Sequence, residues 1–163
     1  RGYRGKHPHN DMKVSKHSKS TDKRNPKLDV EYAKLDSKQK YSYIRDHQGF
    51  FPQATATVVC HANIAEDQVI TLTSADGVTK TYTGKTSEDL AANQFKSDGN
   101  ATVTATSLHD CIVNANGHDG KILSSRDTAT LTLTQRDPGP DGNSAITSDF
   151  HSDATVPSAF TGG

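Results

Sequence analysis

Tryptophan is absent, methionine occurs once, and 163 residues hold only two cysteines. The hydrophobic share is 31%, well under the about 45–50% of ordinary soluble domains, a range that counts glycine. Two large cores are excluded; one modest domain with appendages fits. No apolar run approaches the roughly 18 residues of a membrane-spanning helix, so no membrane role is expected. No stretch reads as a secretory signal peptide, and a chain opening on Arg1 rather than Met is compatible with a leader removed ahead of it. Cys60 and Cys111 do not define a redox compartment. Two buried thiols are the first reading, one disulfide the second.

Catalytic and metal constellations are also missing. His61, His109, His118 and His151 are scattered, and His7, His9 and His17 are irregularly spaced, so no zinc-ligand pattern emerges. His109 is expected at the rim of the core, and His118 just past a helix end, where a cation is favoured. No nucleophile elbow or comparable context frames a serine. Asp137, Asp141 and Asn143 could offer oxygens to calcium, but the closing Glu of an EF-hand is missing and an Asp-rich turn is the simpler reading. The terminal Gly162-Gly163 pair resembles that of sulfur carriers, but the residues before it do not read as the end of a compact sheet with a freed tail. No enzyme and no cofactor are expected.

What is present is an uneven charge. The net charge is zero, yet residues 1–50 carry 13 Lys+Arg against 6 Asp+Glu, a balance of +7, and residues 51–163 carry −7. Such asymmetry marks an interaction arm on a folded body. Residues 1–52 form the expected arm, residues 53–163 the domain. From Arg1 to Pro26 only Tyr3, Met12 and Val14 are apolar, too little to offset the entropy of ordering, so an ordered arm needs a partner surface. A basic arm suggests nucleic acid, but without RGG repeats or a dense block of like charges that case is weak, and a solvated or partner-bound basic strand is the preferred reading. From Leu28 the aromatics return: Tyr32, Tyr41, Tyr43, Phe50 and Phe51. Leu28, Tyr32 and Leu35 have helical spacing, with Asp29 and Glu31 in the first turn, so a short helix is expected over about 28–41. Tyr-rich connectors dock on their own domain or fill a partner's groove, because tyrosine is apolar at one end and polar at the other.

The domain reads as strands around one helix. Residues 54–62 favour a strand with Val58 and Cys60 on one face. Residues 69–74 alternate, Ile70 and Leu72 inward and Thr71 and Thr73 outward. Asp76-Gly77 then turns the chain into a partner strand over 78–83. A second short helix is expected to open at Thr86–Asp89, with Leu90 and Phe95 as its apolar edge. The main helix is expected over 104–116: Thr106 caps it, Leu108, Cys111, Ile112 and Ala115 face the core, and Gly117 follows its end. Residues 121–125 and 128–135 form a last pair of strands, turned at Arg126-Asp127, with Leu131 and Leu133 inward. Residues 138–143 read as a rigid exposed loop, and 145–147 as a short strand. The sum is an α+β class: a small β-rich domain, two hairpins flanking a helix, one sheet with the helix on one face, and an extended basic arm.

These parts resemble a module common in bacteriophage structural proteins, including marine-phage ones. Its marks are a hairpin (Ile70–Leu72), a TA-x-x-L helix (Thr104–Ile112), a TVTLT-type strand (Thr130–Thr134) and a closing G-x-x-GN (Gly139–Asn143). The tail over 156–163 is similar to endings of such modules. The resemblance spans residues 54–163 and leaves out the arm. It implies virion building or decoration on the particle's exterior and brings no catalytic residues. The expected function is a capsid decoration or cement protein present in many copies. Its partners are the major capsid or other virion proteins, bound through Tyr3, Arg4, Lys13, Lys16, Tyr41, Tyr43, Phe50 and Phe51. The competing reading is a tail or surface-fibre adhesin, a carbohydrate-binding module, which stacked exposed aromatics would favour.

Overall fold

A computed structural model describes residues 32–36, 39, 40, 43 and 51–163. Eight strands and one helix are named among them: β1 (Thr55–Cys60), β2 (Val69–Thr73), β3 (Thr79–Lys85), β4 (Gln94–Lys96), α1 (Ala101–Val113), β5 (Ile122–Asp127), β6 (Thr130–Gln135), β7 (Thr147–Ser148) and β8 (Ala154–Thr155). This is a small mixed α+β domain.

The strands form two sheets, not the single sheet expected. One runs β5-β6-β1-β8, the other β4-β3-β2-β7. Each expected hairpin forms, but in a different sheet. The β2–β3 hairpin pairs Ile70 with Tyr82 and Leu72 with Lys80; the β5–β6 hairpin pairs Ser124 with Leu133. The long-range partner is β1, which sets Val58 against Leu131 and Ala56 against Leu133. Because side chains alternate across a strand, this register puts one apolar set inward from each strand. Ala56, Val58, Cys60, Leu131, Leu133, Ile70, Leu72 and Tyr82 all belong to one buried cluster. Helix α1 packs against β4 and β5, the outermost strands on one side of both sheets, and the opposite side carries β7 and β8.

The helix begins three residues earlier than expected. Asn100, not Thr106, is its cap, accepting a hydrogen bond from the Val103 N–H at 3.0 Å; an Asn oxygen serves one of the helix's orphan donors. Thr106 lies inside the helix and donates back to the Thr102 carbonyl. Leu108, Cys111 and Ile112 are fully buried, as their spacing requires, but Ala115 lies beyond the end and is exposed. Gly117 does follow the helix, though for a different reason. A Cβ there would stand 2.1 Å from the Cys111 carbonyl oxygen, so the chain can double back under the last turn only without one.

The second expected helix shrinks to a single 3-10 turn, Leu90–Ala92, capped by the Asp89 side chain and ended by Asn93 in the left-handed conformation. The chain then leaves as β4, parallel to β3, which carries Phe95 into the core. The β5–β6 turn falls at Thr128-Ala129, two residues past Arg126-Asp127, with Thr128 at φ 53°. The loop at 138–143 is only partly exposed: Gly139 and Gly142 are buried. The tail is tied down as well. Thr161 exchanges both backbone bonds with Thr55, Phe160 is fully buried, and the Asn143 amide donates to and accepts from the Gly163 backbone, each at 3.0 Å. Cys60 and Cys111 are free thiols; burial pushes them up to about 11 and about 12 respectively, Cys111 further by nearby Glu88, Asp110 and Asp89.

Candidate partner-binding surface

Of the residues expected to bind partners, Tyr3, Arg4, Lys13, Lys16, Tyr41 and Phe50 lie outside the described residues, as does most of the expected helix over 28–41. Tyr43 and Phe51 are described. Phe51 is 5% exposed, its ring 5.6 Å from that of Tyr32 and 6.0 Å from that of Tyr43. The side chain assigned to a partner is thus taken up by its own chain.

The described part of the connector is not one unbroken helix. Tyr32 and Ala33 are helical, Leu35 and Asp36 are not, and Gln39 and Lys40 are helical again. Asp36 starts the second piece. Its carboxylate accepts from the Gln39 N–H at 2.8 Å, and the Gln39 side chain accepts from the Asp36 N–H at 3.0 Å. That is a reciprocal capping box; Asp36 followed three residues later by Gln39 was the available signal.

Tyr32 fixes this connector to the domain. It is 2% exposed and donates to Asp141 at 2.5 Å. Lys40 stands 3.6 Å from the same carboxylate and 4.9 Å from the centre of the Tyr32 ring. Burial, and then the Asp141 carboxylate, push the Tyr32 hydroxyl well above its ordinary range, so it remains a donor. Next to this contact the Gly139 N–H donates to the Pro52 carbonyl. Asp141 and Asn143 are therefore committed to Tyr32, Lys40 and Gly163. Among the described residues no group of three or more His, Cys, Asp and Glu could hold a metal ion.

The outer sheet faces are hydroxyl-rich. On the first sheet Thr55 lies beside Thr134 and Thr57 beside Thr132, and Leu123, 47% exposed, sits on the same face. On the second, the hydroxyls of Thr71 and Thr81 and of Thr73 and Thr79 are bonded in pairs at 2.8 and 2.9 Å. Tyr82, Phe95, Phe150 and Phe160, which a sugar-stacking site would need at the surface, are at most 1% exposed.

Inside, His118 is not a surface cation at a helix end. It is 1% exposed, with Nδ1 2.6 Å from the Tyr82 hydroxyl and Nε2 3.3 Å from the Val78 carbonyl. A carbonyl only accepts, so Nε2 carries the proton and Nδ1 accepts from Tyr82. Burial, and Lys80 and Lys121 nearby, hold His118 below its ordinary range against the pull of Val78 and Asp76. His109 is half-buried and bonded to the Ser124 hydroxyl.

No family model and no curated protein matches this chain.

Proposed function

We propose that the protein is a virion structural protein, a bacteriophage capsid decoration or cement protein whose N-terminal arm binds neighbouring capsid subunits. The observation that carries this reading is charge placement. A basic arm of +7 is joined to a domain of −7, and the described connector already uses that complementarity where Lys40 meets Asp141. The same pairing between copies or with capsid neighbours is electrostatically favourable. Exposed ion pairs contribute only about 0–1 kcal/mol each, so affinity comes from extended backbone pairing, buried aromatics and the avidity of many copies. The threonine-rich outer faces suit a surface held in water on the particle's exterior.

The adhesin reading draws no support from the domain, because its four aromatics are in the core. Mass spectrometry of purified particles from the system that encodes the chain tests the proposal. It should be a stoichiometric component that high salt does not strip completely. Absence from the particle, or selective retention on a glycan array, overturns it.

A further inference from the structure

On the side of the domain opposite α1, a cleft of about 430 Å³ opens between β7 and β8. That volume lies within the range of pre-formed binding sites. Ile146, Phe150, Ala154, Val156 and Pro157 supply apolar lining, and Thr147, Ser148, His151 and Ser158 supply polar groups. Both flanking strands are two residues long and paired on one side only, β7 with β2 and β8 with β1. An edge strand is a template for an added strand. Between them His151 is exposed and left-handed, at φ 47°, a conformation uncommon for any residue but glycine. Asp149 stands in sequence between the lining residues Ser148 and Phe150, Asp153 directly precedes the lining residue Ala154, and no Lys or Arg lines the cleft. Asp149 accepts from the Val69 N–H at 2.6 Å, which leaves its carboxylate capacity for a cation.

We propose that this cleft receives Tyr3 of a neighbouring copy, with Arg1, Arg4 and Lys6 set against Asp149 and Asp153. The inference rests on the arm being the partner-binding element and names where on the neighbour it binds. Tyr3 is the single aromatic of residues 1–31. A tyrosine ring matches apolar lining while its hydroxyl meets polar walls. Gly2 and Gly5 flank the Tyr3-Arg4 pair, and their lack of a side chain lets backbone approach an open sheet edge closely. Opposite charge at the rim sets orientation and speeds encounter.

The test mixes two forms of the full chain. One carries a nitroxide on His9→Cys, which keeps Tyr3 and its basic neighbours; Cys60 and Cys111 are 3% and 0% exposed and escape labelling. The other is ¹⁵N-labelled and unmodified. Amide signals of residues 147–156 should lose intensity. The loss should vanish when the spin-labelled chain also carries Tyr3→Ala, and when the ¹⁵N chain carries Ser158→Arg. It should persist with Ser158→Glu, a pair of changes at an exposed side chain that separates charge from folding. Broadening centred elsewhere on the domain overturns the cleft while leaving the arm a binding element. With ¹⁵N and nitroxide placed on one chain and diluted in unlabelled chain, broadening of residues 147–156 there but not in the mixture means that the cleft holds its own arm, and overturns the exchange between copies. No broadening in either sample overturns both the cleft and the arm's part in binding like subunits.

Discussion

Tyr82 donates its hydroxyl proton to Nδ1 of His118 at 2.6 Å, and both side chains are buried, 0% and 1% exposed. This bond joins β3 to the loop that leaves α1, and the same loop is held by the His118 N–H on the Ile112 carbonyl. A protonated His118 would oblige the Tyr82 hydroxyl to turn and accept instead, and would place a charge in a buried site. The fold therefore favours neutral imidazole, in agreement with the lowered position of its titration. A base with a depressed folded pKa makes the unfolded chain take up more protons on acidification. Its stabilisation is complete above about pH 6.5, the unfolded value, and is lost as pH falls through the lower folded value. Asp76 acts in a separate window. Burial raises it, but hydrogen bonds from Lys121, Ser74 and the Val78 N–H outweigh burial, so its contribution disappears only below the ordinary carboxylate range. Urea midpoints measured from pH 8 down to pH 3 should fall in two stages. Tyr82→Phe should cost about 1–3 kcal/mol, the penalty of a buried acceptor left alone. A His118 NMR titration at the ordinary value would contradict this arrangement.

Leu131→Ala should cost about 2–5 kcal/mol in urea unfolding. Leu131 is fully buried, opposite Val58 on β1. A loss below about 0.5 kcal/mol would mean that β6 faces the other way.

That face was legible in advance because alternating Thr and Leu leaves a strand only one way to bury its apolar set. The partition into two sheets was not. It depends on β1 pairing with β6 and on β4 running parallel to β3, and neither register leaves a local mark. The early start of α1 was missed because Thr-rich residues 102–106 resemble a cap region, while Asn100 follows an Asp-Gly pair that reads as a loop. At the candidate surface, the return of aromatics at Tyr32, Tyr41, Tyr43, Phe50 and Phe51 announced a contact element but not its partner. Asp141 stands 109 positions from Tyr32 and reads locally as a turn residue.

Two glycine replacements separate close approach from backbone conformation. Gly117→Ala drives a Cβ against helix carbonyls that cannot move aside, and should cost about 1–3 kcal/mol. Gly77→Ala meets nothing within 4 Å, yet φ is 84°, and should cost about 1–2 kcal/mol from the left-handed backbone alone. Equal folding stability of either variant and the parent in urea would remove the corresponding explanation.

Tyr32→Phe keeps the buried ring and deletes its bond to Asp141. Hydrogen exchange at the Leu35 and Lys40 amides should accelerate, since both are bonded within the connector, while β1 and β6 amides keep their protection. The expected local loss is about 1.5–3 kcal/mol for a bond to a charged acceptor. Unchanged exchange at Lys40 would show that the aromatic cluster alone fixes the connector.

The central claim is that the arm carries the partner contact, and deletion of residues 1–26 tests it most directly. The truncated chain keeps every residue of the two sheets and should unfold at the same urea concentration as the full chain. Mixed with particles lacking the protein, it should leave them undecorated at concentrations where the full chain saturates them. Decoration at full occupancy by the truncated chain would contradict the account and assign the binding surface to the domain.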